Sequence, residues 1–174
     1  MTEYSFTLTY RLADDDCDPD ALVERLGEAG CTDALLGIGT TGRLALDFVR
    51  NRETAELALR SALQDVKAAV PTATLVEASP DFVGLTDVAD IMSVSRQSIR
   101  KLMLANGDFP LPVHEGSASV WHLADVLGWL DGRKGYAPDP VLREIAAATL
   151  EANLARNARR GVPATRRALE RLIA

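Results

Sequence analysis

The stretch from Leu85 to Leu104 carries the side chains whose types and spacing are best suited to chemistry. Ser95 is a favourable N-cap residue, and a helix that begins there would project Arg96, Gln97 and Arg100 outward from its first turns. Guanidinium and amide groups in such positions donate hydrogen bonds to base edges and phosphates. The candidate chemistry is therefore recognition of a polar, anionic partner.

The spacing of the apolar residues predicts the helices that carry these side chains. One set of residues has the spacing needed to close two helices around a tight turn: Val88, Ala89, Met92, Val94, Ile99 and Leu102. Ala89 matters because the second helix would cross closely there, and a larger side chain would push the two helices apart. The sequence predicts a pair of short helices in which the second presents an exposed polar face.

Other reactive side chains do not form a catalytic or metal-binding pattern. Cys17 and Cys31 lack CxxC spacing and have no histidine cluster around them. His114 and His122 are isolated, and Asp14–Asp16 has no second acidic cluster or histidine to act with it. No serine lies in a nucleophile-elbow sequence. We therefore expect no enzyme, no metal site and no cofactor.

One motif invites a different interpretation. The sequence GIGTTG, from Gly37 to Gly42, matches the G-x-G-x-x-G pattern of dinucleotide phosphate loops. Such a loop must open a helix whose N-terminal amides face the pyrophosphate. Here residues 43–49 alternate like a strand. We interpret the motif as the turn of a β-hairpin.

Charge is distributed unevenly along the 174 residues, whose formal net charge is −6. Residues 1–80 hold 7 basic and 14 acidic side chains, residues 81–131 hold 3 and 7, and residues 132–174 hold 9 and 4. An acidic N-terminal part and a basic C-terminal part predict different roles along the chain.

The apolar content of 47% is ample for buried cores. The N-terminus has no basic start followed by an apolar run, and nowhere do about 18 apolar residues stand together. We expect a soluble, cytoplasmic protein that does not enter a membrane.

Residues 1–80 predict an α+β domain. Apolar and polar residues alternate from Tyr4 to Leu12, as in a half-buried strand. Asp18 and Pro19 begin a helix that ends at Gly30, two short apolar runs form a hairpin, and a second helix ends before Pro71. A last strand in TATLVEA completes the order β-α-β-β-α-β, the split arrangement of ferredoxin-like domains.

Two linkers divide the remainder of the chain. ASPDFVG precedes a segment of short helices at 84–131, and DGRKGYAPD, residues 131–139, follows that segment. Beyond it, Asp139 and Pro140 begin a helix, and Gly161 and Pro163 separate it from a shorter one. The predicted domains are thus residues 1–80, 84–131 and a C-terminal helical segment, 138–174.

The middle segment resembles a known family. LTDVADIMSVSRQSIRKLM, the prolyl sequence FPLPV, a Gly/Ser-rich turn and VWHLADVLGWL together resemble the winged helix-turn-helix of MerR-like and excisionase-like bacterial regulators. The resemblance covers residues 84–131. It departs from the family at Ser93, where such turns usually have glycine.

In that family the second helix enters the major groove and the wing touches the DNA backbone. By matching motif, the resemblance implies these DNA-contacting residues: Ser95, Arg96, Gln97, Arg100 and Lys101 on the helix, and His114, Ser117 and Ser119 on the wing. Trp121 and Trp129 lie in apolar runs, so we expect them in the core instead.

The resemblance implies a sequence-specific transcriptional regulator, most simply a repressor, that binds double-stranded DNA as a homodimer. Dimer contacts would come from a helix at 140–160 or from the N-terminal sheet. One alternative is an antitoxin whose acidic N-terminal domain covers a protein toxin and whose winged helix represses its own operon. Another is a ligand-sensing regulator, which rests on fold analogy alone.

Overall fold

The computed structural model describes residues 1–14, 18–37, 42–160 and 163–173. The fold is mixed α+β, with 48% helix and 22% strand, as the sequence predicts. The strands are β1 (Thr2–Arg11), β2 (Ala34–Gly37), β3 (Arg43–Arg52), β4 (Thr74–Ser79), β5 (Phe82–Val83) and β6 (Trp121–His122). The helices are α1 (Pro19–Glu28), α2 (Ala55–Ala69), α3 (Leu85–Ile91), α4 (Arg96–Ala105), α5 (Leu123–Asp131), α6 (Pro140–Ala158) and α7 (Pro163–Ile173).

The first four strands form an antiparallel sheet in the order β2-β3-β1-β4. Leu8 at its centre lies opposite Leu46 on one side and Ala78 on the other, and all three side chains are fully buried. Because side chains alternate across a strand, the buried apolar residues of β1 and β3 share one face. Helices α1 and α2 contribute to the core on that face.

Local signals begin and end the two N-terminal helices where the sequence predicts. The Asp18 carboxylate accepts a hydrogen bond from the Asp20 backbone amide at 3.1 Å, and Thr54 caps α2 through the amide of Leu57 at 3.2 Å. Gly30 follows α1 with φ of +98°, a conformation that glycine adopts without strain. Strand β3 follows the GIGTTG motif and pairs with β2. The hairpin interpretation is therefore correct for the strands, whereas residues 38–41 lie outside the described residues.

Arg50 is a charged residue that lies inside the N-terminal part, at 2% exposure. Its guanidinium makes a bidentate contact with Asp33, at 2.7 and 2.8 Å, and a third contact with Asp65 at 2.7 Å. Ser61 Oγ accepts a further hydrogen bond at 3.0 Å. A buried charge is tolerated only when its donors are satisfied in this way.

Helix α6 lies between two hydrophobic cores. Ile145 belongs to the core of the sheet with α1 and α2, whereas the adjacent Ala146 belongs to the core formed by α3, α4 and α5. Glu144 accepts hydrogen bonds from the Tyr4 hydroxyl at 2.6 Å and from the Ala55 amide at 3.0 Å. The apolar stripe of this helix, which includes Val141, Leu142, Ile145 and Ala146, is thus packed within the chain, whereas Leu154 at its far end is 46% exposed.

The two predicted linkers are ordered parts of the structure. Phe82 and Val83 form β5, which pairs with β6, and Tyr136 packs against the second core. The sequence predicts a linker at the second segment because it is rich in Gly, Pro and charged residues, but long-range contacts hold both segments. Within the described residues, no helix is long and apolar enough to cross a membrane.

Candidate nucleic-acid interface

Helices α3 and α4 are joined by a tight turn. Val94 donates a backbone hydrogen bond to the Ala89 carbonyl at 2.9 Å, and Ser93 adopts φ of +54°. This is the left-handed region, which explains why glycine would suit the position better than serine. Ala89 is 1% exposed, as expected for the residue at which two helices approach closely.

The start of α4 is defined by Ser95. Its hydroxyl accepts a hydrogen bond from the Ser98 amide at 3.1 Å and lies 2.8 Å from the Ser98 hydroxyl. Ile99 is fully buried, and Leu102 packs partly against the same core. These contacts determine which side of the helix is left exposed.

The exposed side of α4 is polar and basic. Arg96, Gln97, Arg100 and Lys101 are all exposed, and helical spacing extends this face to Leu104, which is 69% exposed. In the part of the chain that the structure describes, none of the three cations has a carboxylate within ion-pair distance. The partial positive charge of the helix N-terminus adds to theirs. The face is thus available to an anionic partner.

The loop after α4 is attached to the end of α5 by Arg133. The guanidinium lies 3.5 Å from the ring centroid of Trp129 and bonds to Asn106 Oδ1 at 3.2 Å and Asp108 Oδ2 at 2.5 Å. The Trp129 indole also donates to Asp108, at 3.2 Å. Arg133 therefore helps to hold the C-terminal end of α4, although the sequence placed it in a linker.

Residues 113–120 form a short hairpin. Val113 donates to the Val120 carbonyl at 2.8 Å, and Val120 donates to the His114 carbonyl at 3.0 Å. The His114 ring lies over Gly116, where a Cβ would be 2.8 Å from Nε2, so a larger residue there would require the exposed His114 side chain to move. Glu115 places a negative charge on the same exposed turn, which weakens any contact with phosphate there compared with α4.

An aromatic cluster connects the hairpin to α5. Phe109 packs edge to face against Trp121, with centroids 6.1 Å apart, and against Trp129, at 4.9 Å. Trp121 is 4% exposed and donates its indole N–H to the Pro110 carbonyl at 3.0 Å. Both tryptophans pack in the core, as the sequence predicts, and Trp121 has no free face on which a base could stack.

The predicted contact residues fall into two groups. Ser95, Arg96, Gln97, Arg100 and Lys101 share the first turns of α4, whereas His114, Ser117 and Ser119 belong to the hairpin. All are exposed except Ser119, which is half-buried. The two groups lie on separate elements that are joined through a common core containing Ile99, Phe109 and Trp121.

A second set of polar residues was missed by the sequence reasoning. Asp81, Thr149 and Asn153 are each at most 1% exposed, and they meet between β4, the start of α5 and α6. The Asp81 carboxylate lies 2.6 Å from His122 Nδ1 and 2.7 Å from Asn153 Nδ2. Residues so far apart in sequence gave no local signal, although a Thr and an Asn within the apolar stripe of a helix could have suggested buried partners.

The thiol of Cys31 is buried, and burial raises its pKa to about 11, so it is protonated at neutral pH. Cys17 lies outside the described residues. Among those described, no group of His, Cys, Asp and Glu could hold a metal ion. Two surface depressions, one along α2 and one between α5 and α6, are open to solvent.

Comparisons of the chain with protein-family models, curated proteins and solved structures found no match.

Proposed function

We propose that this protein is a sequence-specific DNA-binding regulator, in which α3, α4 and the 113–120 hairpin act as a winged helix-turn-helix. One observation carries the proposal: a capped helix, anchored by buried Ile99, presents Arg96, Gln97, Arg100 and Lys101 on an exposed face, and no carboxylate among the described residues lies within ion-pair distance of its cations. This is the arrangement that a helix needs in order to enter the major groove.

The net charge of −6 does not oppose this function strongly. Two unit charges about 20 Å apart in water interact by only about 0.2 kcal/mol. Physiological salt screens exposed charges beyond roughly 8 Å. DNA near α4 would therefore experience the local cations much more than the distant acidic residues.

We further propose a ferredoxin-like fold for residues 1–80. The order β-α-β-β-α-β and the antiparallel sheet β2-β3-β1-β4 support this assignment. The regulator would act as a homodimer, because one recognition helix reads too few base pairs for useful selectivity. Since the apolar stripe of α6 is packed within the chain, dimer contacts would come from other surfaces, such as α7 or the outer face of the sheet.

The test begins with selection of bound genomic fragments, followed by titration of the selected duplex and a scrambled duplex at several salt concentrations. Replacing Arg96 or Arg100 with Ala should cost about 1–3 kcal/mol on the selected duplex if that side chain contacts guanine. Lys101→Ala should weaken both duplexes alike and reduce the salt slope by about one per subunit. Arg60→Ala is the matched control, because Arg60 is an exposed arginine on α2.

Selection of no fragment at all would overturn the proposal. Wild-type affinity in both Arg96→Ala and Arg100→Ala would show that α4 is not a recognition helix. Equal losses in these variants and in Arg60→Ala would indicate a nonspecific effect of positive charge.

A second candidate is an antitoxin, favoured by exposed apolar residues on α7. Leu169, Leu172 and Ile173 are 52%, 79% and 80% exposed. Such a stripe on a short helix fits a protein partner. If the product of an adjacent gene arrests growth, co-expression with the full chain should relieve the arrest, and Leu172→Glu should abolish this relief. Arrest that persists with the wild-type chain would eliminate this candidate.

A further inference from the structure

The connection between the N-terminal sheet and the proposed DNA-binding unit is short. Only Pro80 and Asp81 separate β4 from β5. The unit could pivot about this connection if nothing else held it, because backbone dihedrals other than the fixed φ of Pro80 can rotate. Contacts outside the linker therefore set the orientation of the unit: α6 packs in both cores, and polar side chains of α6 bind the linker itself.

Asn153 of α6 binds the end of β4 as a neighbouring strand would. Its Oδ1 accepts from the Ala78 amide at 2.9 Å, and its Nδ2 donates to the Ala78 carbonyl at 2.8 Å. The second Nδ2 proton is donated to Asp81 at 2.7 Å. Both amide protons and the amide oxygen therefore have partners, and no other residue type offers this donor and acceptor set except the longer glutamine.

Asp81 continues the connection to the winged unit. Its carboxylate contacts His122, and its backbone carbonyl accepts from the Leu123 amide at 2.7 Å at the first turn of α5. Thr149, one helical turn before Asn153, donates to the Pro80 carbonyl at 2.5 Å. Two side chains of α6 thus bind the linker while Asp81 binds α5.

We propose that Asn153, Thr149 and Asp81 are positioning residues that fix the winged unit relative to the sheet and, in the dimer, set the separation of the two DNA half-sites. The second part rests on the proposed function. In a dimer whose contacts lie outside the winged unit, the rotation of each unit on its own sheet decides where its α4 meets the duplex.

The first measurement needs no DNA. Residual dipolar couplings of the full chain should give one alignment tensor for both cores in the wild type. Asn153→Ala and Thr149→Val should give two different tensors. Ser61→Ala is the control, because it also removes a hydrogen bond from a partly buried network but lies away from the connection. Thr149→Val keeps the test decisive if Asn153→Ala does not fold.

The second measurement uses duplexes in which the selected half-sites are moved apart by one or two base pairs. The wild type should prefer the native spacing, and both α6 variants should reduce that preference by about tenfold, the order of one buried hydrogen bond. A single tensor in the variants would overturn the positioning role, even for a protein that binds no DNA. If the variants gave two tensors but kept the wild-type preference for half-site spacing, only the half-site role would be refuted.

Discussion

At the residue scale, Ser93 has a backbone angle that is unfavourable for a residue with a side chain. Its φ of +54° belongs to the left-handed region, where a Cβ approaches the neighbouring carbonyl. The turn is retained because Val88 and Ala89 on one side and Ile99 on the other are buried. The geometry of the turn is therefore imposed by packing.

Replacing Ser93 with Gly should relieve this strain, at a cost in unfolded-chain entropy of roughly 0.5–1 kcal/mol. We expect a net gain in the free energy of unfolding of up to about 1 kcal/mol, whereas Ser93→Val should lose at least as much. Urea denaturation followed by circular dichroism measures both. Equal stability of the Gly and Val variants would contradict the assigned backbone angle.

Asp33 gives a pH-dependent prediction. Burial acts to raise its pKa, but the hydrogen bonds and charge of Arg50 outweigh burial and hold the pKa below its usual value. Because the pKa of Asp33 is lower in the folded than in the unfolded chain, its ionised carboxylate stabilises the fold at any pH above the unfolded-state pKa of about 3.9. This stabilisation is lost as the pH falls through the folded-state pKa. The difference in free energy of unfolding between wild type and Asp33→Asn should therefore be largest at neutral pH and should decrease below about pH 4. A difference that does not vary with pH would contradict the contact with Arg50.

At the scale of elements, the two C-terminal helices differ in how they are held. Helix α6 takes part in both cores, whereas Leu169, Leu172 and Ile173 of α7 are exposed. The sequence grouped both into one segment, since each shows a helical pattern with start and stop signals. Only the partners of each apolar stripe distinguish them.

Deletion of residues 159–174 should change the free energy of unfolding by about 1 kcal/mol or less, as is usual for surface changes. Deletion of residues 138–174 should cost several kcal/mol, because Asp81 and Ala78 lose buried partners worth about 1–3 kcal/mol each. Both can be compared by urea denaturation. A stable, cooperative product of the longer deletion would contradict the role given to α6.

At the scale of the whole molecule, acidic charge and the candidate DNA-binding face are kept in different parts of the fold. Asp20, Glu24 and Glu28 are exposed along α1, which belongs to the core of the sheet, whereas α4 packs in the other core. An acidic protein can thus bind DNA when its local cations are unpaired and its acids are distant.

Neutralising Asp20, Glu24 and Glu28 as amides should accordingly alter affinity for the selected duplex by less than about twofold at physiological salt. The same titration with Asp90→Asn, an exposed acid at the end of α3, should show a larger gain because that residue precedes the turn to α4. A tenfold gain from the α1 substitutions alone would show that total charge controls binding.

The sequence by itself determined the local features of this protein: the caps at Asp18, Ser95 and Asp139, the alternation of β1, the helix pair at 85–105 and its polar face. These depend on residues within a few positions of one another, where side-chain period and capping chemistry act directly. Only the tertiary structure decided that α6 lies between two cores and that Asn153 meets Asp81 across 72 residues. No local pattern encodes such a pairing, because a buried amide and carboxylate become favourable only after the chain has brought them together and excluded water.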